Sequence, residues 1–220
     1  MKFADYYKAD SPENCALGRF SPTAPGTPAQ KGEIEPGQFP LEFQAQGKNV
    51  MRFLCENAGL SFNDSLYRIA MPGDIESLNS LIAGVFPDFA SRAICFAYDW
   101  LGRVFALDRD RVVNKALQVV VLDPTSAEAY EIPCSLLAFH NEELINYRQE
   151  ALAEDLYKDW RETGHSAPAF DQCISYITPL FMGGDEIFEN MLPSSLEIYW
   201  QVCSDMLNEL ENDDFDDEID

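Results

Sequence analysis

The stretch AICFAYDWLGRVFALDR, followed closely by QVVVLDPTSAEAYEIP, restricts this chain more than any other part of it. In each, β-branched and aromatic residues run up to a turn signal and resume after it. The signals are Leu101-Gly102 in the first and Asp123-Pro124 in the second. That pattern predicts two antiparallel hairpins in succession. A meander of this kind needs cover for its apolar surface, and the flanking sequence supplies it. VMRFLCENAGL has helical spacing, with Gly59 placed to stop it, and GDIESLNSLIAGVFPDF reads as a second helix with Asp74 at its N-cap and a break from Gly84 to Pro87. Beyond the hairpins, CSLLAFHNEELINYRQ and EALAEDLYKDWRETG read as amphipathic helices. FDQCISYITPLFMGG reads as a strand that stops at its two glycines, and Ser194 or Ser195 is placed to cap a last helix in LEIYWQVCSDMLNELE. Helices, a strand meander, more helices, one strand and a final helix make an α+β fold, not the regular alternation of a doubly wound sheet. The expected form is one domain with a mainly antiparallel sheet flanked by helices.

Three regions follow from composition. Residues 10–40 are dense in proline, glycine and small polar residues, so residues 1–49 are expected to form an extended or loosely packed arm, with Phe20, Ile34 and Phe39 as its possible anchors. Residues 50–208 are the folded domain. Residues 209–220 hold eight acids and no base, and are expected to be a disordered acidic tail. The opening residues MKFADYYKAD lack an apolar leader core, and no run approaches the ~20 apolar residues that span a bilayer. A soluble, cytoplasmic protein is expected. The six cysteines lie far apart with no CxxC pair, which argues for reduced structural thiols and against a zinc ribbon.

Charge is the strongest compositional fact. Acids outnumber bases 38 to 15, a net charge of -23, and the chain stays strongly acidic when the tail is set aside. Such a surface disfavours direct binding of nucleic acid or anionic lipid, and attracts a basic partner.

The string GGDEIF, Gly183 to Phe188, resembles the hairpin signature of bacterial diguanylate cyclases, but its surroundings do not. Nucleotidyl transfer needs metal-holding carboxylates together with donors for the phosphates. The preceding ITPLFM has no base, and about thirty-five residues follow Asp185, too few for the rest of a cyclase domain. The family's phenylalanine directly follows the Asp-Glu pair, whereas Ile187 stands there in this chain. The glycines are read instead as a turn that exposes Asp185 and Glu186.

Other catalytic patterns are missing from the sequence. His140 falls in a helical AFHNEEL and His165 in a loop, with no HxxxH or HExxH. There is no GxSxG elbow, no GxxxxGK[ST] loop and no GxGxxG loop. The DRDR run from Asp108 to Arg111 reads as a solvated strand end, and Trp100, Trp160 and Trp200 read as core. No cofactor, metal or catalytic residue is expected.

Taken whole, CISYITPLFMGGDEIFENMLPSSLEIYWQV resembles the closing segment of bacterial SUKH-type immunity proteins, and is similar to the Tdi type paired with type VI secretion DNase effectors. The resemblance rests on Pro179-Leu180-Phe181, Gly183-Gly184-Asp185, Glu189-Asn190 and Leu196 to Trp200. Upstream, Val85 to Phe89 and Tyr98 to Asp108 extend it, so that it spans residues 60–207. It implies a twisted, SUKH-like α+β sheet with helices around it. It also implies a role without catalysis: binding and neutralising a cognate toxin, expected to be a basic nuclease. The expected contact residues are Asp185, Glu186 and Glu189, whose negative charge suits a phosphate-binding groove. The alternative is an intracellular scaffold or regulatory module of the same superfamily.

Overall fold

A computed structural model describes residues 22–23 and 33–217 of the chain. The hairpin-rich segment forms its centre. Strands β1 (Pro22–Thr23), β2 (Ser61–Phe62), β3 (Tyr67–Ile69), β4 (Ala93–Asp99), β5 (Val104–Val113), β6 (Ala116–Asp123) and β7 (Glu128–Ser135) lie side by side in chain order. Every neighbouring pair is antiparallel. All of β4, the first half of β5 and the middle of β6 are buried on both faces, so both sides of the sheet are covered at its centre. The two predicted turns fall between β4 and β5 and between β6 and β7, with Gly102 in left-handed backbone at the first.

The helices cover the sheet with the faces their spacing predicts. In α2 (Lys48–Asn57) Val50, Met51, Phe53 and Leu54 are buried; in α3 (Ile75–Val85) Ile75, Leu78, Ile82 and Val85 are. Asp74 occupies the N-cap position of α3 without a side-chain capping bond. After β7 come α4 (Leu136–Ala138), α5 (Leu144–Asn146), α6 (Arg148–Leu152) and α7 (Glu154–Glu162). Then β8 (Gln172–Tyr176) pairs antiparallel with β9 (Met191–Ser195) in a small second sheet, and α8 (Leu196–Asp217) follows at once. Both candidate cap serines therefore belong to β9. The helix α8 buries Leu196, Tyr199, Trp200 and Cys203, and packs on α3. Among the described residues no helix is long and apolar enough to cross a membrane.

This is the expected α+β architecture, with four differences in detail. Packing begins before residue 50: α1 (Leu41–Ala45) is helical, and Phe39 and Phe43 are buried edge-to-face at 6.3 Å. Ile34, another of the expected anchors, is partly buried against the core. Residues 1–21 and 24–32 of the expected arm, Phe20 and Cys15 included, lie outside the described residues, as do residues 218–220 of the tail. The segment expected as one helix from Cys134 is broken, with a five-residue π turn, Phe139–Glu143, between α4 and α5. The short strands β2, β3 and β9 carry too few residues to show a period, and were not expected. The DRDR run is not a solvated end. It sits at a register shift in β5 where Asp108 is buried against Arg92, Arg109 holds Glu42 at 2.8 Å, and Arg111 reaches Glu131 at 3.3 Å.

The interior contains polar groups with definite partners. The Arg68 guanidinium, wholly buried, donates to the carbonyls of Ala169, Phe170, Gln172 and Asp99, and so ties β3 and β4 to the chain entering β8. The tryptophans are core, as expected: Trp100 donates to the Leu152 carbonyl at 2.9 Å and Trp200 to that of Gly102 at 2.8 Å. His140, in the stretch expected to be helical, is wholly buried in the π turn. Its Nδ1 lies 2.7 Å from the Leu136 carbonyl and its Nε2 lies 3.0 Å from the Tyr67 hydroxyl. Since a carbonyl only accepts, Nδ1 carries the proton and Tyr67 donates to Nε2.

That burial has a pH consequence. Removal from water holds the imidazole neutral, with its pKa lowered to about 4 from 6.5. The unfolded chain takes up a proton near pH 6.5 and the folded chain only near 4, so stability is lost as pH falls through that window. Between pH 7.5 and 5.5 the expected loss is about 1–1.5 kcal/mol. Urea unfolding at the two pH values checks it, and a His140→Gln chain should lose most of that slope. An unchanged slope in the variant would assign the pH dependence elsewhere.

Candidate functional site

The glycine turn is built by the loop between β8 and β9. Leu180–Met182 makes one 3-10 turn, and Gly183 ends it at φ +82°, in the left-handed region that favours glycine. Gly184 lies so close to Thr178 that a methyl group would overlap the Thr178 carbonyl oxygen. Asn190 closes the loop from the other side. Its Oδ1 accepts from the Thr178 N–H at 2.9 Å, and its Nδ2 donates to the carbonyls of Thr178 and Asp185, each at 2.9 Å. The main chain adds Ile177 N–H to Asn190 O at 2.7 Å and Gly184 N–H to Pro179 O at 3.1 Å. Backbone groups that a long loop usually leaves to water are here bonded within the loop, which makes it a rigid platform.

Two anchors fix the platform to the body. Phe181 N–H donates to the Thr125 carbonyl at 3.1 Å, in the turn between β6 and β7. Phe188 packs edge-on to Trp160 at 5.7 Å, and Trp160 is itself stacked on His165 at 3.7 Å. The residue order Ile187-Phe188, which departs from the cyclase pattern, is what turns the aromatic ring inward and leaves Ile187 outside.

The structure brings the three predicted acids together on this platform: Asp185, Glu186 and Glu189 are all exposed. The Tyr176 hydroxyl lies 3.4 Å from Glu186, and no base among the described residues lies within ion-pair reach of the three. Around them stand three apolar side chains that packing leaves open: Ile177 is 57% exposed, Ile187 48% and Met182 43%. Sequence inspection had found the acids but not this apolar rim, because Ile177 and Met182 look like strand core in FDQCISYITPLFMGG. Acids interleaved with exposed apolar groups on a rigid loop are suited to gripping a protein surface.

The remaining reactive side chains are placed for structure. Burial pushes the thiols of Cys95 and Cys173 well up, and that of Cys203 to about 12, so they behave as small apolar groups. Among the described residues no cluster of three or more histidines, cysteines or acids is arranged to hold a metal ion.

A second concave feature had no signal in the sequence. A cleft of about 740 Å³ opens between the α1–α2 corner, the β5–β6 turn and the segment from Pro133 through the π turn, with Glu142 and Glu143 half-buried along it.

Comparison with known proteins reaches the fold and stops there. No family model matches the chain, and no curated protein matches it. A solved structure is similar: the crystal structure of Atu4351 from Agrobacterium tumefaciens, with a TM-score of 0.57 over 86% of each chain at 15% identity. At that identity the likeness establishes a shared α+β fold and nothing about activity.

Proposed function

We propose that the chain is an immunity-type binding protein of the bacterial cytoplasm, which neutralises a basic toxin, a nuclease, by covering it with an acidic surface. The observation that carries this reading is the glycine platform, where Asp185, Glu186 and Glu189 stand among exposed Ile177, Met182 and Ile187 with no ion-pair partner among the described residues. The rest of the surface supports it. Arg92, Arg103, Arg109, Arg111, Arg148, Lys158 and Arg161 are each held by a carboxylate of the chain itself. The field presented outward is then dominated by the excess of acids, although Lys48, Arg52 and Lys115 stay exposed, and it accelerates encounter with a cationic groove. The resemblance of the segment around the platform to SUKH-type immunity proteins points the same way.

The test is co-expression with the product of the neighbouring gene, scored by growth and then by capture of the complex over a range of salt. The expected result is rescue, with a complex that weakens as salt rises. Neutralising the platform by Asp185→Asn, Glu186→Gln and Glu189→Gln together should weaken the complex about 10–100-fold at low salt, and less at high salt. A stable complex with a basic protein that is not toxic would favour the scaffold reading. Neither rescue nor complex would remove the immunity reading for that pair.

A further inference from the structure

The cleft beside the π turn has a composition of its own. In an α-helix the segment Phe139–Glu143 would follow the tighter turn, but the π turn adds a residue to it while Phe139 and His140 stay locked in the core. Such single wide turns recur at functional sites. Here it lays Asn141, Glu142 and Glu143 along the cleft. Burial pushes the carboxyls of Glu142 and Glu143 up, and the Glu143 charge pushes Glu142 further. Burial, and then the charges of Glu143 and Glu142, push up the thiol of Cys134, which also lines the cleft, so the carboxylates and the thiol share one space. Neither carboxylate has an ion-pair partner among the described residues. Two acids are therefore taken partly out of water without an ion pair among the described residues to offset the cost.

The cleft also continues a sheet edge. β7 ends the order of the large sheet, and most of its residues are exposed or half-buried. Among the described residues no strand pairs with its outer side. An edge of this kind accepts one more strand. Pro133 has no N–H to donate, so a ladder along β7 ends there, where Pro133, Cys134 and Ser135 already line the cleft. Val50, Val113, Leu136 and Leu137 give the cleft apolar walls, suited to the aliphatic stem of a long cationic side chain. Lys48 and Lys115 are exposed at the α1–α2 corner and the β5–β6 turn, and would repel a second cation.

We infer that the β7 edge and this cleft bind an extended segment of the partner protein, which adds a strand to β7 and seats a single Lys or Arg, flanked by apolar residues, between Glu142 and Glu143. The inference rests on the reading of the chain as a binding protein for a basic partner, and places a second contact on it away from the glycine platform. Charge selects the occupant: half-buried carboxylates without an ion pair call for a cation, and an open strand edge calls for a polypeptide.

The probe is a short labelled peptide of alternating valine and threonine with one central arginine, titrated by fluorescence anisotropy into the full chain at moderate salt. Binding is expected, and should be lost when the arginine is replaced by glutamate or when the peptide's backbone amides are methylated. Glu142→Gln with Glu143→Gln should weaken it about tenfold or more. A variant with the same change of charge on and near α3, Glu76→Gln with Asp88→Asn, should bind as the native chain does. The glutamine pair should also unfold at the same or a higher temperature, because it removes two poorly solvated charges; this separates a lost contact from a damaged fold. Equal losses in the two variants would reduce the effect to net charge and overturn the site, as would no binding of the arginine peptide. Spermidine competing as tightly as the peptide would assign the cleft to small cations and overturn the polypeptide occupant. Tight binding of the methylated peptide would overturn the strand addition. The peptide assay needs no toxin, so its failure leaves the co-expression result standing, and failure of co-expression leaves the peptide result standing.

Discussion

Replacing Asp99 by alanine is expected to cost about 3–5 kcal/mol of folding stability, the penalty for breaking a buried ion pair from one side. A domain of this kind is stable by only about 5–15 kcal/mol, so much of the chain should unfold in mild urea. The reason is local. Asp99 ends β4 and is wholly buried. Its Oδ1 accepts from the N–H groups of Leu101 and Arg103, each at 3.0 Å, and its Oδ2 holds the Arg103 guanidinium at 2.6 Å. One side chain thus caps the β4–β5 turn and neutralises a buried cation, which also donates to the Ala151 carbonyl at 3.0 Å. Removing it leaves the guanidinium without its counter-charge and two amides unsatisfied inside the fold. Urea unfolding of Asp99→Ala measures the loss. Asp99→Leu combined with Arg103→Met should recover part of it, because the pair repays little more than its own desolvation. A loss below about 1 kcal/mol in the single variant would show that water reaches the site and that the pair is not the clamp described.

Gly184→Ala should have the largest effect of any single change on partner binding. The new methyl group overlaps the Thr178 carbonyl oxygen and meets the Asn190 amide, the two groups that clamp the loop. The loop must open, at a cost of about 1–3 kcal/mol in stability for an overpacked site. Its acids and apolar rim then no longer share one rigid surface. Affinity for the proposed partner should fall by about tenfold to a hundredfold, more than for loss of any one acid, because all contacts on the platform move together. Thermal unfolding and titration calorimetry of the same variant separate the two effects. Lower stability with unchanged affinity would mean that the partner does not touch this platform.

The two variants also mark what can be read from a sequence of this kind. The hairpins around Leu101-Gly102 and Asp123-Pro124 were legible because turn chemistry and β-branched runs are local. The faces of α2, α3 and α8 were legible for the same reason, as was the exposure of Asp185, Glu186 and Glu189 beside two glycines. The length of the segment after β7 concealed its break: its apolar residues keep a helical rhythm on either side of the π turn, and only the burial of His140 against Tyr67 shows where the turn must widen. DRDR looked solvated because charge alternation says nothing about partners from elsewhere in the chain. Arg92 and Glu42, which bury or hold it, lie 16 and 67 residues away from Asp108 and Arg109.

The sequence by itself determined the α+β class, the antiparallel meander, the helical faces and the acidic character of the surface, since each depends on neighbours within one or two turns of chain. Only the tertiary structure decided which charges are spent inside the molecule and which stay exposed without an ion pair. It also decided that Gly184, Asn190 and Phe188 make the 183–189 turn rigid, and that a cleft with two half-buried carboxylates opens at the end of β7. Those features come from contacts between residues distant in the chain, where desolvation and pairing depend on which groups the fold brings together.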